Sequence, residues 1–501
     1  MTEMQKARDN LLTKIEQIPF ADGILALYNE LQNLSLSNYL IIKDKPWLSA
    51  FELASIAKFV YIHGHSRKRC NEVDWPSILN AYKDLWRISD NQTLYPDIPE
   101  YIAAFVLRFV YQQLPASITP RKLFHNLKRT RRLFGGDSPG AIKLKGQFRI
   151  VSGLELNDFL DIAEELYATF TQVHTVPDYR LFESLRMQFN ADQITRTLGL
   201  LSATRKQFRR YHEEFAAKEP TGTPYEVNSM LRFPILLRED QYWCVFPQFI
   251  NYAATRGLYF YLSDRVNSFA GTFSEAYEDY VRQLCVDYFG SDKVTTEEEE
   301  HNAGWSGKNN DVTLIDREIA ILIECKNSGL FSLAKKTAGI NELLADIRKN
   351  LANADKRKGL FQLYDKIAAL RQNQLPEKIR KKYETVKLFY PVVLLHDEIW
   401  YANNPHALRN LIDAELKTSG ITDFDYQIWH IEEFEIMLRV VPSDQFFNAV
   451  QEKFTDPQFR AWDLSTYLAE KYGQTDLNVH IMLPAGESRP FQILRSIADP
   501  H

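Results

Sequence analysis

The stretch NNDVTLIDREIAILIECKN, residues 309–327, places Asp311, Glu324 and Lys326 around a run of isoleucines and leucines. Charged side chains are rarely fully buried unless they are paired or bound, so three of them at the ends of apolar runs need a reason. The texture predicts two short strands turning at Asp316–Arg317. On a strand, residues two apart share a face. Glu324 and Lys326 then point one way and Ile323 and Cys325 the other. Ile319 and Ile321 fall in phase with the second row, so a core lies behind the charges. A turn near Asp316 brings Asp311, at the start of the first strand, back beside Glu324 and Lys326.

Two carboxylates a few ångströms apart repel strongly unless a divalent cation sits between them. Mg²⁺ takes oxygen ligands and keeps waters for itself and a substrate phosphate. Once bound it acidifies a water and stabilises charge on phosphoryl oxygens. A lysine beside it orients that water or offsets charge in the transition state. The main-chain carbonyl of Cys325 is the natural extra ligand. Phosphodiester hydrolysis is the chemistry such a group suits. The plainer alternative is a surface ion pair between Glu324 and Lys326, with Asp311 as a turn or helix cap.

The flanking sequence supplies a context. GTFSEAYEDYVRQLCVDYFG, residues 271–290, reads as a helix with Tyr277, Tyr280, Val281, Leu284 and Tyr288 on its apolar stripe and Gly290 as its C-cap. GINELLADIRKNLANADKRKGLFQLYDKIAAL, residues 339–370, reads as one long helical region. VKLFYPVVLLHDEIWY, residues 386–401, reads as a strand covered on both faces, and IWHIEEFEIML, residues 428–438, as a strand entering a helix.

Taken together, these features resemble the PD-(D/E)XK nucleases, the restriction-endonuclease-like superfamily. Asp311 in NND and Glu324-Cys325-Lys326 carry the motif, with Asn310 where a proline usually precedes the aspartate. The resemblance covers roughly residues 270–440. It implies an αβββαβ core with a mixed sheet flanked by helices, so that with the helical N-terminal region read from its apolar spacing the chain is expected to be α/β. It implies Mg²⁺, with Mn²⁺ as a substitute, held by Asp311, Glu324 and the Cys325 carbonyl, and Lys326 assisting the attacking water. The preceding helix should contribute an acid, which points to Glu278 in AYEDYV, with Glu275 one turn earlier as the fallback. The helix after the core should supply a polar substrate contact, Gln362 or Lys356. The expected activity is that of an endonuclease on DNA leaving 5′-phosphate ends, with RNA, including transfer RNA, as the other substrate. A catalytically inactive nucleic-acid- or protein-binding module is the competing class. A large helical extension on such a domain resembles bacterial anti-phage defence effectors, which implies a phage-derived or protein trigger. Double-strand cleavage would favour a homodimer.

At 501 residues the chain is too long for one compact core, so two or three domains are expected. A composition of 45% hydrophobic and 25% charged residues is that of a globular protein and excludes a mainly disordered chain. A net charge of -5 gives no global basic bias, so a nucleic-acid partner must be argued from local patches. The cysteines at 70, 244, 285 and 325 form no CxxC, which argues against a disulfide framework or a Cys-based zinc site and suits a reducing cytoplasm. The opening MTEMQKARDNLLTKIEQIPF lacks the apolar core of a signal peptide. AILIEC and YPVVLLHD are too short to span a bilayer. A cytoplasmic chain with no membrane partner is the expectation.

Residues 1–220 read as mainly helical, a sensor or nucleic-acid-binding region. The turn-rich AAKEPTGTPYE, residues 216–226, is the expected boundary to a nuclease-like domain over 221–455, with its core at about 270–440. Residues 456–501 read as a C-terminal extension. RFPILLRED and QYWCVFPQFI predict a hairpin joined by Glu239, Asp240 and Gln241. The most basic stretch, residues 119–149, offers Lys128, Arg129, Arg131 and Arg132 as phosphate contacts, against the alternative of a solvated helix face. The acidic run TEEEEHN, residues 296–302, reads as a solvated strand end or loop. His63, His65 and Cys70 in HGHSRKRC read as ordinary helix-end residues. GGDSPGAIK has Ala141 where a phosphate loop needs lysine, so no ATP dependence is expected.

Overall fold

The computed structural model describes residues 2–32, 41–42, 45–64, 74–91, 120–216, 229–307, 309–327, 340–397, 402–405 and 407–473. The chain opens with helices α1 (Glu3–Glu16), α2 (Phe20–Gln32), α3 (Ala50–His63) and α4 (Trp75–Asn91). Their apolar residues recur at helical spacing, and Leu11, Ile15, Ile24, Leu27 and Tyr61 meet in one buried cluster. Thr2 caps α1, its hydroxyl accepting the Gln5 N–H at 3.2 Å. Residues 101–114, within the region read as mainly helical, and His65 and Cys70 lie outside the described residues.

Six further helices come next: α5 (Pro120–Gly135), α6 (Pro139–Ser152), α7 (Leu156–Gln172), α8 (Asp178–Arg186), α9 (Ala191–Leu201) and α10 (Arg205–Ala216). Threaded among them is a small sheet of β1 (Thr175–Pro177), β2 (Ser202–Thr204), β3 (Ile235–Arg238) and β4 (Gln241–Trp243), in the order β1-β4-β3-β2. The β3–β4 hairpin turns on Glu239 and Asp240, with φ of 52° and 55°, the left-handed pair that a two-residue hairpin requires. This sheet corrects the expected domain boundary. Strand β2 precedes the 216–226 segment, β3 lies after it, and the two pair in parallel. Leu236, Phe246 and Phe249 after the break also join the cluster formed by α1–α4. The turn-rich composition marks a connection inside a packed unit, not the end of one.

Helices α11 (Gln248–Ala254) and α12 (Arg256–Ser263) lead into the long α13 (Phe269–Phe289). Then come β5 (Val294–Thr296), α14 (Glu297–Asn302), β6 (Val312–Asp316), β7 (Ile319–Lys326), α15 (Ile340–Asp346), α16 (Leu360–Arg371), β8 (Leu388–Leu395), α17 (Leu408–Thr418), β9 (Gln427–His430), α18 (Ile431–Val440), α19 (Phe446–Thr455) and α20 (Leu464–Tyr472). The five strands form one sheet, β9-β8-β7-β6-β5. Strand β8 runs parallel to both β7 and β9, and β6 runs antiparallel to both β5 and β7. The molecule is mixed α/β, with a mixed sheet flanked by helices. The β6–β7 turn falls on Arg317–Glu318, one residue later than predicted, with Arg317 at φ 50°.

The central strand β7 is covered on both faces, and its side chains sort by parity as the pleat demands. Ile319, Ile321, Ile323 and Cys325 enter a core shared with α5–α7, α11–α13 and α18–α20. Ala320 and Leu322 enter a second core beneath α15–α17. The first of these cores joins the helical half to the sheet half. Close approach is possible because Gly140 of α6 lies against α13, where a Cβ would stand 2.4 Å from the Ala276 nitrogen. A buried ion pair adds to it: Arg129 of α5 donates from Nε and Nη2 to Glu435 of α18 at 2.8 and 2.7 Å, and Tyr280 of α13 donates to the same carboxylate at 2.6 Å.

Two other expectations change. Residues 339–370 do not form one helix. Helix α15 runs into a π-turn at Ile347–Leu351, then a hairpin pairing Ala352–Asn353 with Lys358–Gly359, and only then α16. Asn353 holds that turn by accepting the Lys356 N–H at 2.9 Å. Gly359, at φ 68°, lies so close to Leu351 that a Cβ would sit 2.2 Å from its carbonyl oxygen. The C-terminal extension is part of the core as far as Gly473: Phe459, Leu464, Tyr467 and Leu468 are all buried, and 474–501 lie outside the described residues. No helix among the described residues is long and apolar enough to cross a membrane.

Two measurements check this packing. Leu322→Ala removes a fully buried side chain from the central strand and should cost about 2–5 kcal/mol in urea unfolding. Glu435→Gln strands the Arg129 charge and should cost about 3–5 kcal/mol. Burial alone would raise the Glu435 carboxyl, but Arg129, Arg439 and Tyr280 draw it down to about 2 from the ordinary 4.5. A depressed carboxylate stabilises above its unfolded pKa and loses that contribution as pH falls through its folded one. Melting temperature should therefore fall between pH 4.5 and about 2 more steeply in the wild type than in Glu435→Gln.

Candidate functional site

The site forms where the β6–β7 ladder runs out. The last strand pair is Val312 with Ile323. Beyond it the Asp311 side chain takes over the ladder, Oδ2 accepting the Cys325 N–H at 2.6 Å. Asn310 holds this end in place: its Nδ2 donates to the Val312 carbonyl at 2.7 Å, to Thr313 Oγ1 at 3.0 Å and to the Ile323 carbonyl at 3.4 Å. The asparagine thus ties the two strands together by side-chain bonds that a proline at this position could not make. A strand residue's N–H and C=O leave on one edge, so the Cys325 carbonyl lies on the edge that Asp311 closes. The other edge belongs to β8 and the residue just past its end, where the His396 N–H reaches the Lys326 carbonyl at 2.9 Å.

Glu324 and Lys326 continue the row of Ala320 and Leu322, so they emerge at the rim of the second core. Lys326 Nζ donates to Glu324 Oε1. The glutamate side chain is 2% exposed and that of the lysine 22%. Gln362, near the start of α16, donates to Glu324 Oε2 at 3.0 Å and to the Asn309 carbonyl. From the first core side, Glu278 of α13 faces Asp311 and Lys326 closely enough to alter its ionisation.

The electrostatics are those of a shortage of positive charge. Burial, then Glu324, pushes Asp311 well above the usual carboxylate range. Burial raises Glu324 too, against the pull of Lys326. Glu278 rises to about 8 from burial and from Asp311. Burial would lower Lys326, yet Glu324 and Asp311 hold its ammonium above the ordinary value. Three acids thus compete for one amine, an arrangement that a hard cation would relieve. Among the described residues no group of three or more His, Cys, Asp or Glu side chains gathers as a metal site. The two carboxylates with the Cys325 carbonyl instead make an all-oxygen donor set, which fits Mg²⁺ or Mn²⁺.

The structure thus brings Asp311, Glu324, Cys325, Lys326, Glu278 and Gln362 to one place. It separates Glu275, whose carboxylate is held at the surface by Lys143 at 2.7 and 2.8 Å. Lys356 lies in the turn of the small hairpin rather than on a helix, and no bond joins its side chain to Glu324 or Asp311. The basic stretch is corrected most. Arg129 is buried on Glu435, Arg131 bridges Asp161 and Glu164 at 2.6 and 2.5 Å, and Arg132 pairs with Asp287 at 2.5 Å. Their guanidiniums serve internal acids that lie far along the chain, which local charge density does not reveal. Lys128 lines a small cavity beside Arg129 and Arg439.

Sequence reasoning missed the support beneath the site. Glu300, within the acidic run read as solvated, is buried. It accepts from Lys366 of α16 and from the Tyr383 hydroxyl, the latter at 2.8 Å. Lys366 also donates to Asn309 Oδ1 at 2.8 Å. The spacing of Leu363, Lys366 and Ile367 on one apolar stripe is the available signal: a lysine in the buried register needs an acid. Asn327 further ties the end of β7 to Ser274 of α13 at 2.8 Å.

Asn310→Ala should lower stability by about 1–3 kcal/mol in chemical unfolding, since it leaves buried carbonyls unpaired. No protein-family model, no curated protein and no solved structure matches the chain.

Proposed function

We propose that the chain is a metal-dependent nuclease of the restriction-endonuclease-like type, hydrolysing phosphodiester bonds of DNA. The observation that supports this most is the meeting of Asp311, Glu324 and Glu278 around the single ammonium of Lys326 at the rim of the central sheet. The sheet order, with β8 parallel to β7 and a β5–β6–β7 meander after α13, suits the αβββαβ core expected from the motif.

Asp311, Glu324 and the Cys325 carbonyl would hold the cation, which when bound supplies an acidified water and stabilises phosphoryl charge. The remaining residues have their own tasks. Lys326 keeps its proton and presents a donor at the site's open side. Glu278, raised to about 8, holds a proton near neutral pH and can give or take one there. Gln362 fixes the second oxygen of Glu324, so that the carboxylate cannot swing. Of the ion pair, Lys326 is the partner open to solvent, while Glu324 is closed off.

The test is digestion of plasmid, single-stranded DNA and RNA by the purified chain with Mg²⁺, Mn²⁺ or chelator. Cleavage should need the metal and fall about 10²–10⁴-fold in Lys326→Ala and Asp311→Ala, with circular dichroism unchanged. Cleavage of RNA alone would move the substrate class. Nucleic-acid binding without turnover, equal in the wild type and both variants, would replace the enzyme by a binding module.

A further inference from the structure

A second cavity, of about 330 Å³, opens between α9, α10 and α12 and is separate from the site above. Its chemistry is carried by Arg210, Arg232, Arg265, Tyr211, Phe233 and Tyr261. Arg232 is half-buried. Its Nη1 donates to the Leu200 carbonyl at 2.8 Å, and its guanidinium lies 4.6 Å from the Phe233 ring centre and 5.3 Å from that of Tyr261. Arg265 stands over the same Tyr261 ring at 4.2 Å. Among the described residues neither arginine forms an ion pair. Arg210 is matched by Glu214 at 2.7 Å, so three guanidiniums line the cavity against one carboxylate. Burial lowers the Arg232 pKa and Arg265 adds to that by repulsion, against the opposing pull of Tyr211, Tyr261 and Asp264.

Two guanidiniums share one tyrosine ring with no ion pair to either among the described residues, Asp264 acting on Arg232 only at longer range, so an anion placed between them is favoured. Arginine forks match phosphate bidentately, and Arg232 has donors beyond the one given to Leu200. Tyr211 and Phe233 meet edge to face at 5.3 Å and offer ring surface against which a planar group can pack. Gln207 has its carbonyl taken by the Thr204 N–H and hydroxyl, both at 2.8 Å, which leaves its amide NH₂ to donate to a ring edge. The volume is within the range of small-ligand pockets, roughly 300–1,000 Å³. From these features we infer that the cavity between α9, α10 and α12 is a binding site for a phosphorylated nucleoside, either a free mononucleotide or the phosphorylated end of a strand. This inference stands apart from the nuclease reading and does not depend on it.

The test is calorimetric titration of the full chain with AMP, CMP, adenosine and inorganic phosphate, and with one short oligonucleotide bearing either a 5′-phosphate or a 5′-hydroxyl, all in chelator. At least one mononucleotide should bind about tenfold or more tightly than adenosine or phosphate alone, because ring and phosphate are read together. Arg265→Gln, at an exposed position, should weaken it by about tenfold. Tyr211→Ala should erase the advantage over phosphate. A 5′-phosphorylated strand binding more tightly than the mononucleotide assigns the site to strand ends, and the reverse order to free nucleotides. Absence of heat with every mononucleotide at millimolar concentration, or affinity unchanged in both Arg265→Gln and Arg232→Lys, overturns the inference.

Discussion

A strand buried on both faces has no solvent side to which a charge can be sent. Strand β7 is such a strand, and it nevertheless ends in Glu324 and Lys326. The constraint is met by placement. The parity that sends Ala320 and Leu322 into the second core brings Glu324 and Lys326 to its rim, where each neutralises part of the other. Asp311 comes to the same place because the hairpin is short and in register, and because its side chain prolongs a ladder the backbone has stopped making. Much of the surrounding structure serves this meeting: Asn310 ties the strands, Gln362 fixes the glutamate, and Glu300 with Lys366 anchors Asn309 and α16 beneath it.

The two halves of the chain are more deeply joined than their different textures suggest. The core on the odd face of β7 is built from α5–α7 and α11–α13 as much as from the sheet, and Arg129, Tyr280 and Glu435 link three helices from distant parts of the chain. Buried pairs of this kind stabilise little relative to apolar packing, but breaking one leaves an uncompensated charge.

How much of this can be read from the sequence depends on the range of the interactions. Period-two alternation around 312–326 and the apolar run at 388–395 declare the hairpin and the parallel strand, because two-sided burial leaves a continuous hydrophobic trace. The same pattern puts Asp311, Glu324 and Lys326 together, while Glu278 is pointed to only by the resemblance, with Glu275 as its fallback. What fails is whatever depends on a partner far away. Arg129 and Arg131 look like surface charge because Glu435 and Glu164 cannot be assigned to them from spacing. The 216–226 segment looks like a linker because nothing local says that β2 pairs across it with β3. The break at 347–359 escapes notice because helix-forming residues such as Leu351 and Lys356 precede Arg357 and Gly359, whose backbones turn the other way.

At Gly140 the backbone of α6 touches the backbone of α13 with no side chain between them. Side chains act as springs in most helix contacts, yielding a few tenths of an ångström before the main chain moves with them. Here that cushion is missing two residues from Glu278. A side chain added at position 140 would have to push α13 aside, and with it the acid facing Asp311.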